Sequence, residues 1–425
     1  MITATLKKFR LLPKETRAMV FLYWVYDFAE VLVGIFIGIF IFLETQSLLH
    51  LAMYNAVYFF GIMLGFCTWG YIMSLFQISM RLNYIRAFAT YIVSFLILIF
   101  LPHTFPYLLL FALINGTGLG MFWIGVHSYE MLYTEDKNRD FYSSMTSAGA
   151  QSFAVIGPAI ATLTFYISEK ILHIETFQLL FIILPFIYTL SLPFLFSLPD
   201  FIPEKIPTKE WKRIIKDKKM KKAIPYFLSQ GSIWGLFSAI YPLITIVTLG
   251  TVINVGMFET IVGILGIIAV IFLSHKRHSE NRVQIMTYAI ITYVIAYTIL
   301  LFWKVHPLFF IIYHLIVVFV YPIYRVSEHT IDLKTIEETS TKNGFFSSMI
   351  YRDLILWLAR TISVGVIILL IITVGESLTI QISILLMIFA NALVPITAQR
   401  FANHVKISKH DQGFIGDEDD RHTFL

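Results

Sequence analysis

Asp27 and Glu30 stand near the middle of an apolar run of about 26 residues, Ala18 to Leu43. A charged side chain at the centre of a bilayer costs at least about 2.5 to 3.5 kcal/mol on insertion scales, so carboxylates at that depth face a protein interior or a watery cavity. Tyr23, Asp27, Glu30, Gly34 and Gly38 recur at intervals of four, three, four and four, which places them on one helical face. A stripe holding a phenol, two acids and two glycines faces protein or water rather than lipid. Two carboxylates one turn apart in low dielectric do not readily both ionise, so one is expected to hold a proton near neutral pH. That is the chemistry needed to couple a proton gradient to the movement of a solute. The alternative is a structural acid pair bonded to tyrosine and backbone groups of neighbouring helices.

Arg360, about midway along another apolar run, is the counter-charge candidate, and Asp353 and Trp357 share its face. Asp353 is seven residues away, roughly 10 Å along the axis, and so a poor direct partner. An arginine at this depth needs a carboxylate, a cavity or a substrate. A substrate contact and a static inter-helix salt bridge both satisfy it. His127 and Glu130 close one run, and Arg325, Glu328 and His329 close another. Charge pairs that break and reform there would make a gate; solvated interfacial side chains are the plain alternative. Gln151, Gln230 and Asn115 are further cavity-lining candidates.

These residues must be held by membrane-spanning elements. At 425 residues, 57% hydrophobic and only 14% charged, with a mean hydropathy of +0.76, the chain is too apolar for a soluble globule. Twelve runs are long enough to cross roughly 30 Å of hydrocarbon. Their approximate spans are 18–43, 50–77, 83–102, 105–127, 143–167, 175–198, 223–249, 252–274, 283–303, 306–328, 345–374 and 378–400. Such lengths suit helices rather than the short alternating strands of a barrel. The expected fold is an all-α polytopic membrane protein with 12 transmembrane helices.

With the N-terminus inside, only Lys170 and Lys304 of the 32 Lys and Arg fall in outside loops, and Arg360 lies within a span. The excess of positive charge on the other side predicts cytoplasmic termini, and the short loops with no visible signal point to a plasma (cytoplasmic) membrane location. The net charge of +5 follows from this topology and calls for no nucleic-acid partner. The first apolar stretch is too long for a cleavable signal and lacks a small-residue cleavage site. With Cys67 as its one cysteine, the chain can form no internal disulfide.

The stretch from Pro199 to Lys222 is the one long charged interruption, with Lys205, Lys209, Lys212, Arg213 and five further lysines. A solvated linker (199–222) between two six-helix halves, 18–198 and 223–400, accounts for it. Matching segments recur at a constant offset. Phe141 to Met145 matches Phe345 to Met349 at 345 − 141 = 204, and Met53-Tyr54 matches Met257-Phe258 at 257 − 53 = 204. The same offset sets Phe227, Gly231, Trp234, Ser238 and Pro242 opposite the acidic stripe, so one half is expected to be acidic and the other aromatic and neutral.

Two parallel six-helix repeats related by an axis along the membrane normal resemble the major facilitator superfamily of secondary transporters over nearly the whole chain. Gly149 and the pair Gly157-Pro158 look like that family's glycine-proline pattern in the fifth helix. The resemblance implies a cavity lined by the first, fourth, seventh and tenth helices, with the two halves rocking around it. The family's signature loop is eroded. Only Gly70, Arg81 and Arg86 remain of the first copy, and Leu273 to Arg277 with Arg282 looks like a degenerate second copy with His275 in the aspartate position. Asn115, Gly116, Thr117, Gly118 and Gly120 allow close backbone contact in the fourth helix but lack the arginine many proton antiporters place there.

No Walker loop, metal-binding cysteine pair or nucleophile elbow is present, so neither an enzyme nor a cofactor is expected. The resulting expectation is a monomeric, proton-coupled transporter of a small-molecule solute in the lipid bilayer. An acidic stripe beside Tyr23, Trp24, Phe227 and Trp234 would suit an organic cation or amphiphile. A fold-retaining sensor or scaffold with a packed, dry cavity is the rival from another class. The tail 1–17 is basic and mildly amphipathic, suited to an anionic leaflet, and the tail 401–425, with Asp417, Glu418, Asp419 and Asp420, looks disordered.

Overall fold

In the computed structural model, residues 9–10, 12–134, 136–274, 282–340 and 345–405 are described. Twelve long helices follow one another: α1 Lys14–Thr45, α2 Leu48–Phe76, α3 Met80–Phe100, α4 Phe105–Tyr133, α5 Asp136–Ile167 and α6 Gln178–Leu195. After a short linker helix, Thr208–Lys216, come α7 Lys218–Leu249, α8 Val252–Ser274, α9 Arg282–Leu300, α10 Pro307–Thr339, α11 Phe346–Val374 and α12 Glu376–Val405. Among the described residues ten helices are long and apolar enough to cross a membrane, and α9 and α10 contain the shorter apolar stretches Met286–Leu300 and Pro307–Pro322. The order matches the expected spans. However, α5 starts at Asp136 rather than at 143, and α10 continues to Thr339, past the expected end at 328. The second signature copy from His275 to Arg277, and the C-terminal acids, lie outside the described residues.

Local chemistry sets the helix ends. Ser47 Oγ accepts from the His50 N–H (3.3 Å), Ser79 Oγ from Leu82 N–H (3.2 Å), and Asp217 from the Lys219 and Met220 N–H groups (2.8 and 2.9 Å). These side chains satisfy amide groups that an incipient helix leaves unpaired. Gly250 and Gly375, at φ +82° and +80°, stop α7 and α11 in a backbone region open to glycine.

Helix packing follows the small residues. Gly61 and Gly65 of α2 face Gly116 and Gly120 of α4 so closely that an added Cβ on any of the four would meet the other helix's backbone. Without a hydrophobic drive between helices in lipid, such close approach is the main source of association. Gly149 and Gly157 of α5 receive Trp24 and Val31 of α1. Two seams join the repeats, α2 against α11 and α5 against α8. At the first, Cys67 Sγ reaches the Ile350 carbonyl (3.6 Å); at the second, Gly256 abuts Thr162 and Gly263 abuts Ala154.

The linker is docked rather than fully solvated. Ser74 Oγ donates to the Glu204 carbonyl (2.6 Å) and accepts from the Ile206 N–H (2.8 Å), the Met80 N–H donates to the Phe201 carbonyl (2.7 Å), and Tyr129 Oη donates to the Pro199 carbonyl (2.8 Å). Ile206 and Ile214 are buried while the lysines stay at the surface.

Candidate functional site

The end of the bundle where α1 begins is called proximal here and the opposite end distal. At the distal end Gly38 lies directly against the Pro242 ring of α7. These two positions are equivalent under the 204-residue offset, and equivalent points meet where helices approach the axis relating two repeats. One turn proximal, the packing opens. Gly34 is exposed, and a Cβ added there would find only Glu30 Oε1, at 4.0 Å. Glu30, Asp27 and Tyr23 follow along the same face, each partly exposed. The stripe therefore borders open space beneath a distal closure, to which Asn55 adds a bond to the Ser238 carbonyl (3.4 Å) and Glu376 one from the Leu48 N–H (3.1 Å).

The two acids have different surroundings. Glu30 has Tyr26, Tyr54, Tyr58, Tyr91 and Tyr188 as electrostatic neighbours, from α1, α2, α3 and α6. Tyr91 and Tyr188 stack at 4.7 Å. Asp27 instead has Glu30 and Arg325 of α10 as its charged neighbours, and its Oδ2 is buried without a hydrogen-bond partner. Paired carboxylates in unlike environments are a usual way to divide proton roles.

Arg325 is held from behind. Its Nη1 donates to Glu328 Oε2 (2.9 Å), while Glu328 Oε1 accepts from Gln230 Nε2 (3.0 Å) and Tyr324 Oη (3.2 Å), and Gln230 also reaches Tyr226 Oη (2.7 Å). Gln230 and Glu328 are thus buried in a polar network of the second repeat. The Arg325 side chain remains 40% exposed, with Tyr23 and Tyr321 as neighbours. Proximal to it, Glu130 joins the repeats. It bonds His127 Nδ1 (3.2 Å) on its own helix and lies 3.9 Å from His329 Nε2 on α10. The residues expected at a gate are brought together across the two repeats.

Arg360 has no carboxylate within 4 Å among the described residues. Its guanidinium lies 5.8 Å from the Phe59 ring centroid, and its Nε is buried and unpaired. Trp357 Nε1 and Thr361 Oγ1, on the same stretch of α11, are also buried without hydrogen-bond partners. Asp353 is taken by Arg352, whose guanidinium sits 3.3 Å from Asp353 and 3.8 Å from Asp332. Of the two roles open to Arg360, the static salt bridge is not formed among the described residues. Tyr58 has both Glu30 and Arg360 as electrostatic neighbours.

The remaining candidates separate. Trp234, equivalent to Glu30 by the offset, is 39% exposed. Gln151 lies in the α5–α8 seam, opposite Gly266. Asn115 bonds Ser94 Oγ (3.0 Å) inside the first repeat. Trp24 donates to the Met145 carbonyl (3.1 Å) and packs on Gly149, and Phe227 is fully buried; neither borders the open stretch. Tyr58, Tyr321 and Arg352 were not singled out from the sequence. Only their three-dimensional neighbours distinguish them from ordinary apolar-helix tyrosines and a helix-end arginine.

The Major Facilitator Superfamily model matches residues 19–352. The chain belongs to this superfamily. No curated protein matches the sequence. Similar solved structures include the POT family transporter PepTSo (TM-score 0.69, 9% identity, 94% of this chain and 99% of that one). A D-xylose-proton symporter gives 0.61 at 14% identity, covering 91% and 97%. A bacterial homolog of the human lysosomal transporter Spinster, in an inward-facing and unoccupied conformation, gives 0.59 at 12% identity, covering 92% and 98%. The fold is that of the superfamily's membrane transporters.

Proposed function

We propose that this chain moves a small zwitterionic organic solute across the membrane by alternating access, coupled to protons carried at Asp27 and Glu30. The observation that carries the reading is the partly exposed acid stripe next to the exposed Gly34, between the Gly38–Pro242 contact and the Glu130–His329 pair. A non-transporting scaffold would have this stripe packed and dry. The proton-dependent step is relief of the Asp27–Glu30 proximity when one acid is neutral. Breaking and reforming of the Glu130 contacts to His127 and His329 serves as the proximal gate.

The lumen offers more than the acidic, aromatic surface suited to an organic cation. Asp27, with Tyr23 and Trp234, supplies a cation-attracting pole. Arg360 Nε, Trp357 Nε1 and Thr361 Oγ1, buried without partners on one stretch of α11, supply donors fit for a carboxylate. A solute with both charges uses all of them.

The test is uptake into proteoliposomes under an imposed pH gradient, using a panel of zwitterionic, cationic, anionic and neutral solutes. Zwitterions are expected to accumulate. Asp27→Asn and Glu30→Gln are each expected to abolish gradient-driven accumulation, and Arg360→Gln to abolish binding of the zwitterion. Undiminished coupling in both acid variants removes these residues from the mechanism.

A further inference from the structure

A second cluster of protonatable groups lies in the C-terminal repeat, apart from the acid stripe. Tyr241 of α7 places its hydroxyl 2.6 Å from His314 Nε2 of α10 and 3.2 Å from Glu259 Oε1 of α8. The other imidazole nitrogen, His314 Nδ1, is 2.9 Å from the Phe310 carbonyl. His314 is buried, with the rings of Phe258, Phe310 and Tyr313 around it at 5.0, 4.2 and 5.0 Å. Each of the three residues is seven or eight positions from the distal end of its helix, roughly 10 Å into the membrane layer.

Counting donors fixes the proton content. A carbonyl only accepts, so Nδ1 carries a hydrogen. If His314 is neutral, Nε2 is bare and must accept the single hydroxyl hydrogen of Tyr241. That hydrogen is then spent, and the Tyr241–Glu259 contact needs a hydrogen from Glu259, which must be a neutral acid. If Glu259 is instead ionised, it accepts the hydroxyl hydrogen, and the His314–Tyr241 contact needs a hydrogen on Nε2, which makes an imidazolium. Both hydrogen bonds are satisfied only when the triad holds one proton beyond a carboxylate and a neutral imidazole.

We propose that Glu259, Tyr241 and His314 form a second proton-carrying site in which one transferable proton is shared along the three side chains. The transfer is balanced. The Glu259 O–H bond breaks and its proton passes to Tyr241 Oη, while the original Tyr241 O–H bond breaks and that proton passes to His314 Nε2. A neutral acid and neutral imidazole become a carboxylate and an imidazolium, with the tyrosine unchanged.

Among the described residues, the groups facing the triad do not supply a competing charge. Tyr297 of α9 is an electrostatic neighbour of Tyr241, and Tyr313 of α10 packs on both His314 and Tyr297. From α5, Thr162 lies against Gly256, one turn from Glu259. Glu259 is partly exposed and sits between Gly256 and Gly263, two of the glycines of α8 that touch α5. The proton-holding acid is thus set beside the seam that must open and close if the repeats rock, whereas His314 is sealed inside one repeat.

The site can be tested without a transported solute. Protein labelled with ¹⁵N-histidine in lipid nanodiscs would be read by NMR for the His314 protonation state, assigned with His314→Gln. Infrared difference spectra would report the carbonyl stretch of a protonated carboxyl, assigned by its loss in Glu259→Gln. At neutral pH the expected result is a Glu259 acid band together with an Nδ1–H, Nε2-bare imidazole. A carboxylate with a doubly protonated imidazole also carries the shared proton and supports the site. A carboxylate together with a neutral imidazole overturns it. Tyr241→Phe should shift the Glu259 band, since the acid loses its acceptor, and an unmoved band refutes the relay. Should Glu259→Gln fail to fold, the wild-type histidine spectrum and the Tyr241→Phe shift still decide the matter.

Discussion

Gly38→Ala is the smallest change that should unbalance the two access states. A Cβ at this position falls on the Pro242 ring, within 2.8 Å of its Cβ and closer still to its Cγ. Neither carbon is the free end of a flexible side chain, so α1 and α7 must separate for the distal closure to form. Overpacking of this kind costs about 1–3 kcal/mol, and the cost falls only on the distally closed state. That corresponds to a shift of about 5- to 150-fold in the ratio of closed to open molecules. The assay is thiol labelling of a single cysteine placed at Gly34, in a Cys67→Ser background, with an impermeant reagent applied from each face. Gly34 is exposed and lies one turn inside the contact, so its labelling from the distal face reports the closure directly. Gly38→Ala should raise that rate by the stated factor and lower labelling from the proximal face. Pro242→Gly removes both offending carbons and should restore the wild-type rate in the double variant. An unchanged distal rate in folded Gly38→Ala protein would refute the closure, and equal effects with and without Pro242 would refute its assignment to this contact.

Three further outcomes follow from the packing. Gly65→Val should lower thermal stability by about 1–3 kcal/mol, because its Cβ would meet the α4 backbone at Thr117, whereas Gly365→Ala, with nothing within 4 Å, should be neutral or stabilising by up to about 1 kcal/mol. Calorimetry that ranked the two alike would contradict the close α2–α4 packing. Asn83→Ala removes the acceptor of Trp69 Nε1 (2.9 Å) and the donor to the Met121 carbonyl (2.7 Å), and thermal unfolding should show a loss of about 1–3 kcal/mol. Arg360→Met should leave the unliganded melting temperature unchanged or higher, since no ion pair among the described residues is broken and a buried charge is removed. A fall of several degrees would reveal an ion partner for Arg360.

The fold was largely legible in the sequence because lipid imposes a one-dimensional rule: a helix must be long and apolar enough to cross. Elements that cross with little to spare, or run on beyond the membrane, were less legible. The proximal extension of α10 to Thr339 carries Asp332, Glu337 and Glu338, which no hydropathy window joins to a span. The linker's docking was hidden for a similar reason. Its bonds run from backbone carbonyls of Pro199 and Glu204 to single hydroxyls of Tyr129 and Ser74, and leave no compositional trace.

Site residues were legible where helical periodicity alone defines a face, and illegible where the partner lies on another helix. Tyr23, Asp27, Glu30, Gly34 and Gly38 share one face, and the structure keeps them on it. Arg360 was visible as a misplaced charge, but the lack of an acid partner depends on where Asp353 turns, which spacing cannot give. The offset of 204 went further than any single motif. It set Gly38 opposite Pro242, and these two residues touch, as positions close to an axis relating two repeats must. It also set Glu30 opposite Trp234 and suggested a neutral second half. Glu259 and His314, which the offset does not pair with the acid stripe, lie away from those equivalent positions, on α8 and α10, and are joined through a tyrosine of α7. The duplicated scaffold preserved where backbones meet, while the protonatable groups were distributed over it independently in each half.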